Sequence, residues 1–408
     1  MTTQTQASAE LARSIAALGD AFVATLEPVL AEIPASSAGP VALAKALGLD
    51  KVLTSRLLKA VRKSRDPLAT VHQIPGPEPL ARFLKAARKS GVERAKIATA
   101  EAQLVVFKDF VRTRVGDRGA LEALISTWLP EARRDFELRR KQAAYRAMSQ
   151  LRGVSMRVRL GAVFLAPSAE AGRLDLVWLM GYFGLRRLRP GAAVSFGTKR
   201  YLKDGALERH PMTLDGERGS YPQGYRLDEY CCAPAAPLVP KTYGELVSYK
   251  LAGDAVGPGS EVDLIMAEVN RDELPSHVPA GSGRKAHFSS EVGTPTKRLI
   301  MDVFVHRDVY PGSEPELRLY DRVQGADGDI NAAHNEAFRM DMAETVTPLG
   351  SDPANFRADS IASYGELSAE VFTRLGWQPE VFRGFRAAID YPLLGSQIAL
   401  VFDPPETD

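Results

Sequence analysis

The stretch LAKALGLDKVLTSRLLKAV, residues 43–61, reads as two short helices folded around a tight turn. The first, PVALAKAL (40–47), opens on Pro40, whose fixed φ suits a first helical turn. Gly48 follows, and glycine takes the left-handed conformation that stops a helix at little cost. Asp50 is placed to cap a second helix over 51–64. In that helix Thr54, Leu57, Leu58 and Val61 share one face and are expected to pack on Leu43 and Leu47. Lys51, Val52, Ser55, Arg56, Lys59, Arg62 and Lys63 turn the other way. Ala44 and Gly48 put small residues where two helices would cross steeply. The pattern predicts a helix-turn-helix at 40–64, built either to enter a DNA groove or only to pack.

Charge favours the groove. The whole chain of 408 residues carries a formal charge of +2, but unevenly. Residues 1–150 hold 24 Lys and Arg against 15 Asp and Glu, whereas 151–408 hold 28 against 35. The surplus concentrates at 41–96, with 13 basic and 4 acidic residues, which is the footprint expected of a nucleic-acid-binding module. The bland alternative is a solvated, Arg-rich helical surface.

Outward from this stretch the chain changes character once. Apolar residues at steps of three and four predict a helix over 7–33, with Pro28 near its end, and further helices over 78–91, 93–113, 118–127 and 131–150. The segment 64–79, broken by prolines, has room for one short strand near 69–74. From residue 154 the pattern is β: strands are expected at 154–167, 192–197, 245–251, 261–269, 298–307, 317–323 and 395–403, with helices at 364–377 and 379–389. Segment 171–191 is ambiguous, its length favouring helix and Gly181 and Gly184 opposing it. The expected fold is therefore α+β and multidomain. An all-α domain (1–150) carries the helix-turn-helix, and a β-rich domain (151–408) follows, sandwich-like or α+β.

The stretch GLDKVLTSRLLKAV (48–61) resembles the second and third helices of winged-helix regulators of the IclR type, with Gly48, Leu49, Lys51, Arg56, Leu57 and Leu58 in register. The likeness covers roughly 35–75. Related helices also occur in the dimerisation domains of small-molecule O-methyltransferases, where they bind no DNA. In place of the two-stranded wing stands PLATVHQIPG (67–76). The resemblance implies that Lys51, Ser55 and Arg56 read base edges in the major groove, Arg56 by pairing with guanine. Lys59, Arg62, Lys63 and Arg65 would then lie against phosphates, with Lys85, Arg88 and Lys89 extending the track.

Motifs for catalysis are scarce. No phosphate-binding GxxxxGK[ST] loop, HExxH or GxSxG occurs, and AVGPGSEVD (255–263) lacks the strand and helix a nucleotide fold needs. Asp302, His306 and Asp308 alternate along one strand and, with His287 or His334, could bind a metal as in cupin-like barrels; surface or core histidines are the plainer reading. Trp178, Tyr182 and Phe183 beside Arg186, Arg187 and Arg189 suggest either an anionic aromatic ligand or core packing next to a charged rim. Cys231 and Cys232 are adjacent, too strained for an ordinary disulfide. No run of eighteen apolar residues and no signal-peptide pattern occurs, so no membrane span and a cytoplasmic setting are expected. The expectation is a DNA-binding transcriptional regulator without cofactor, metal or catalytic residues. Its partners would be double-stranded DNA, a second copy in a homodimer (through the apolar face of 7–33 or the helices of 93–150) and a small-molecule effector. The alternatives are a helical dimerisation domain on a small-molecule-binding or enzymatic β domain, and an assembly protein.

Overall fold

The computed structural model describes residues 3–203, 206–207, 211–219, 223–232, 237–243 and 246–407, with side chains described for most of these. Local capping signals set the N-terminal helices: α1 Thr3–Ala31, α2 Pro40–Leu47, α3 Lys51–Leu58, α4 Pro67–Gln73, α5 Pro77–Lys89, α6 Arg94–Phe110, α7 Arg118–Ser126 and α8 Pro130–Arg152. Four of them start on proline at the first helical position, where the missing amide costs nothing. Asp50, Asp66 and Asp117 cap α3, α4 and α7 by accepting from free backbone amides. The chain divides at Glu137/Leu138 into two units. α8, expected to close the first domain, begins in the first unit and ends in the second, within which Lys141 and Gln142 pair with Glu344 and Tyr391.

In the first unit α1 is the central helix. Ile15, Leu18, Phe22, Leu26, Val29 and Leu30 are buried among residues of α2 to α7, and Phe22 meets Phe107 edge to face at 5.1 Å. By length and composition Ser8–Ala31 could cross a membrane, but its apolar stripe is occupied by this core. The same burial removes that stripe as a dimer surface. The strand expected at 69–74 is instead α4. Asp66 and Pro67 supply a cap and a first turn, and these local signals outweigh the short apolar run. The place of a two-stranded wing is thus taken by a helix.

The second unit is β-rich. Its described strands are β1 Val154–Pro167, β2 Arg173–Arg187, β3 Ser195–Lys203, β4 Ala206–Leu207, β5 Leu238–Tyr243, β6 Leu246–Leu251, β7 Val262–Pro275, β8 Val278–Pro279, β9 Ala286–Glu291, β10 Thr296–His306, β11 Glu316–Asp321, β12 Arg339–Met340, β13 Val346–Gly350, β14 Phe382–Asp390, β15 Ser396–Phe402 and β16 Glu406–Thr407; besides the end of α8 it holds the helix α9 Tyr364–Leu375. Among the described residues a six-stranded sheet runs β13-β14-β10-β1-β2-β7, with β1 and β10 parallel and the other neighbours antiparallel. Alternation along its strands makes two apolar faces. Val163, Leu299, Met301, Val303 and Phe385 pack on Phe288, Ile398, Leu400 and Phe402 of a second sheet, β12-β11-β15-β9. The opposite face, with Phe164, Ile300 and Phe304, packs on Tyr364, Leu367, Val371 and Phe372 of α9. A third sheet, β4-β3-β6-β5, is anchored by Val194, Phe196 and Leu251 against Tyr182, Leu185 and Leu264. The expected α+β class holds, and the second unit layers a helix and two sheets.

Two expected elements differ. The ambiguous 171–191 is mostly β2, with Gly181 needed because a Cβ there would lie 2.6 Å from the Phe183 ring. The helix expected at 379–389 is only a turn at Pro379–Val381 before β14, whose residues pair with β10 from Arg298↔Asp390 to His306↔Phe382. Non-local pairing has overridden an apolar spacing that suits either element.

Candidate nucleic-acid interface

The turn between α2 and α3 forms as its residues dictate. Gly48 sits at φ 64°, ψ 37°, and Leu49 donates back to the carbonyl of Ala44 at 2.9 Å. A Cβ at Gly48 would meet nothing within 4 Å, so the glycine serves the positive φ and not, as expected from its spacing with Ala44, a close helix crossing. Asp50 Oδ1 accepts from the amides of Val52 and Leu53, at 2.7 and 3.3 Å. The Thr54 hydroxyl donates to the carbonyl of Pro40 at 2.8 Å and ties α3 to the start of α2. Leu57, Leu58 and Val61 are buried with Leu43, as their face predicts, while Leu47 is half-buried beside them. After Leu58 the helix widens into a π turn, Lys59–Lys63, that ends at Ser64.

The candidate DNA-contacting residues separate into two sets. Lys51, Ser55, Lys59, Lys63 and Arg65 are exposed and make no side-chain hydrogen bond or ion pair among the described residues. Lys51, Ser55 and Lys59 follow at steps of four along one stripe, with Val52 beside them 65% exposed. Arg56 and Arg62 point elsewhere. Arg56 donates through Nε to the carbonyl of Gln73 at 3.2 Å and through a terminal nitrogen to those of His72 and Ile74. Arg118 reaches the carbonyls of Val71, His72 and Ile74 from the other side. The two guanidinium groups satisfy the open C-terminal end of α4, where a helix presents unpaired carbonyls and partial negative charge. Arg62 pairs with Glu27 at 3.1 Å and donates to the carbonyl and hydroxyl of Ser36, stapling the π turn to α1. Arg56, expected at guanine, and Arg62, expected at phosphate, are thus both engaged in bonds within the fold. Lys85 and Lys89 of α5 are exposed, and Arg88 pairs with Glu101.

Replacing Arg56 with Ala should therefore cost about 2 kcal/mol of stability, since bonds from a charged donor to half-buried carbonyls are lost. Urea denaturation followed by circular dichroism would register it. A change below about 0.5 kcal/mol, the ordinary scatter of a surface substitution, would mean the contacts contribute nothing.

The other candidates dissolve on inspection. Asp302 is buried and taken up by Arg386 and Tyr364, while His306 makes its contact with Asp308. Among the described residues no group of three His, Cys, Asp or Glu side chains could hold a metal ion. His210 lies outside the described residues. Trp178, Tyr182 and Phe183 enter three different cores, so they make no shared site, and Arg187 is buried donating to the carbonyls of Ala192 and Leu251. Both cysteines are free, and burial pushes the Cys231 thiol up to about 11, leaving it protonated at neutral pH. No family model, curated protein or solved structure matches the chain.

Proposed function

We propose that the chain is a DNA-binding transcriptional regulator, in which α2 and α3 act as a helix-turn-helix and α3 enters the major groove of double-stranded DNA. The observation that carries this reading is the open stripe of Lys51, Ser55 and Lys59 on a helix whose opposite face is locked into the core. On this reading Lys51 and Ser55 meet acceptors on base edges, and Val52 meets a thymine methyl. Lys59, Lys63 and Arg65 lie against phosphates. Arg56 and Arg62 are positioning residues that hold α3 at its angle. A homodimer on two half-sites supplies the affinity that one short helix lacks, and a cytoplasmic setting follows.

Anisotropy of a labelled mixed-sequence duplex, titrated at several salt concentrations, tests the reading. Three phosphate contacts per copy, six in the dimer, predict that log K falls against log salt with a slope of about −5. Absence of binding at low salt overturns it. The exposed Val41 and Val52, at 61% and 65%, favour a second reading, a packing surface for another protein chain. Complex formation indifferent to salt is its signature.

A further inference from the structure

α9 covers only part of its sheet face. Its Tyr364 reaches Asp302, and beyond that point the ladder continues with Ile300 and Arg298 on β10, opposite Ala388 and Asp390 on β14. Over this uncovered end lies a cleft of 740 Å³, roofed by the segment that leads into α9 and by Pro348 and Leu349 of β13. A neighbouring hollow of 590 Å³ shares Arg298, Asp359 and Ser360 as its wall. These volumes suit a small organic molecule.

The lining is amphipathic and biased to positive charge. Ile300, Leu349, Ala358 and Ala388 give the first cleft apolar surface, among Arg298, Arg357 and Arg386. Arg157 and Lys297 add two cations in the second. Against these five stand the carboxylates of Asp302, Asp359 and Asp390. Arg386 is fixed by a two-pronged bond to Asp302, at 2.9 and 2.7 Å, and by donation to the carbonyl of Arg357 at 2.8 Å. Arg298 pairs with Asp390 through one terminal nitrogen, yet its Nε is buried without a partner among the described residues. The hydroxyl of Ser360, on the same wall, is likewise buried and unpartnered. Buried polar atoms are rarely left unsatisfied unless something outside the fold completes them.

The geometry points to a binding site for a small organic anion, its carboxylate or phosphate head on the exposed guanidinium groups of Arg298 and Arg357 and its apolar body on Leu349 and Ala388. This site is independent of the DNA-binding reading, and either can fail alone. The test is saturation-transfer NMR on the full-length protein with benzoate, phenyl phosphate and uncharged benzamide at equal millimolar concentrations. The site predicts saturation of at least one anion and none of benzamide; which anion responds identifies the head group. The Arg298→Ala, Arg357→Ala double variant should lose the signal at least fivefold while melting like the parent. The single Arg357→Ala, at an exposed position, serves where the double variant folds poorly. Equal saturation of benzamide, silence from both anions, or an unchanged signal in a folded variant overturns the proposal.

Discussion

Replacing Gly19 with Ala should destabilise the helical unit by about 3 kcal/mol, although alanine is the better helix former. Gly19 lies within α1, where α4 comes closest. A Cβ built there stands 2.1 Å from the carbonyl oxygen of Pro67, 2.7 Å from its carbonyl carbon and 2.9 Å from its Cα. All three atoms are backbone, so no side chain can swing aside. Relief requires α1 and α4 to part, and that loosens Val71 and Ile74 against Phe22 and Leu26 in the same core. Helix propensity alone predicts the opposite sign, a gain of about 1 kcal/mol for glycine to alanine. Thermal unfolding followed by the helical dichroism band separates the two. A fall in the helical transition supports the close approach, and a neutral or stabilised variant rejects it.

The second large effect belongs to Asp302. It is fully buried, and burial pushes its carboxyl above the ordinary carboxylate range against the pull of Arg386 and Tyr364. Arg386→Met should cost about 3–5 kcal/mol at neutral pH, because it strands a carboxylate that has lost its cation. The remaining neighbour facing it is the Tyr364 hydroxyl, at 2.6 Å, whose own proton is held firmly by burial and by Asp302. The variant's Asp302 escapes the penalty by taking up a proton. Its folded form then binds a proton that the unfolded chain releases above about pH 4. Stability is therefore retained in acid and lost as pH rises through the folded carboxyl's pKa, so the deficit against the parent grows from pH 4 toward pH 7. Adding Asp302→Asn to Arg386→Met should recover much of the loss at pH 7. Urea denaturation across that range decides: a small, pH-independent cost would mean that the pair behaves as if exposed.

Parts of this molecule are legible in sequence and parts are not, for physical reasons. Pro40, Gly48 and Asp50 specify the α2–α3 turn through their own backbone chemistry, so the turn could be read residue by residue. Asp66 and Pro67 carried the same kind of signal for α4, and the apolar run beside them obscured it. Side-chain destination is a different matter. Whether an arginine on α3 faces solvent or a neighbouring carbonyl depends on where α4 ends, and Arg56 is separated from its acceptors by a helix and a turn. The cleft was beyond reach for a stronger reason. Arg298, Arg357 and Arg386 come from two strands and a loop, and only the β10–β14 register brings them together. The segment that holds Arg386 gave a helical spacing when read alone.

The most direct measurement compares two charge reversals in duplex titration at low salt. Lys51→Glu with Lys59→Glu alters the open stripe of α3; Lys108→Glu with Arg114→Glu makes the same change of net charge on exposed residues of α6 and the turn after it. Entry of α3 into the groove predicts at least about a tenfold loss of affinity for the first pair and little for the second. Equal losses, or none from the first pair in a protein that binds DNA, would contradict entry of α3 into the groove.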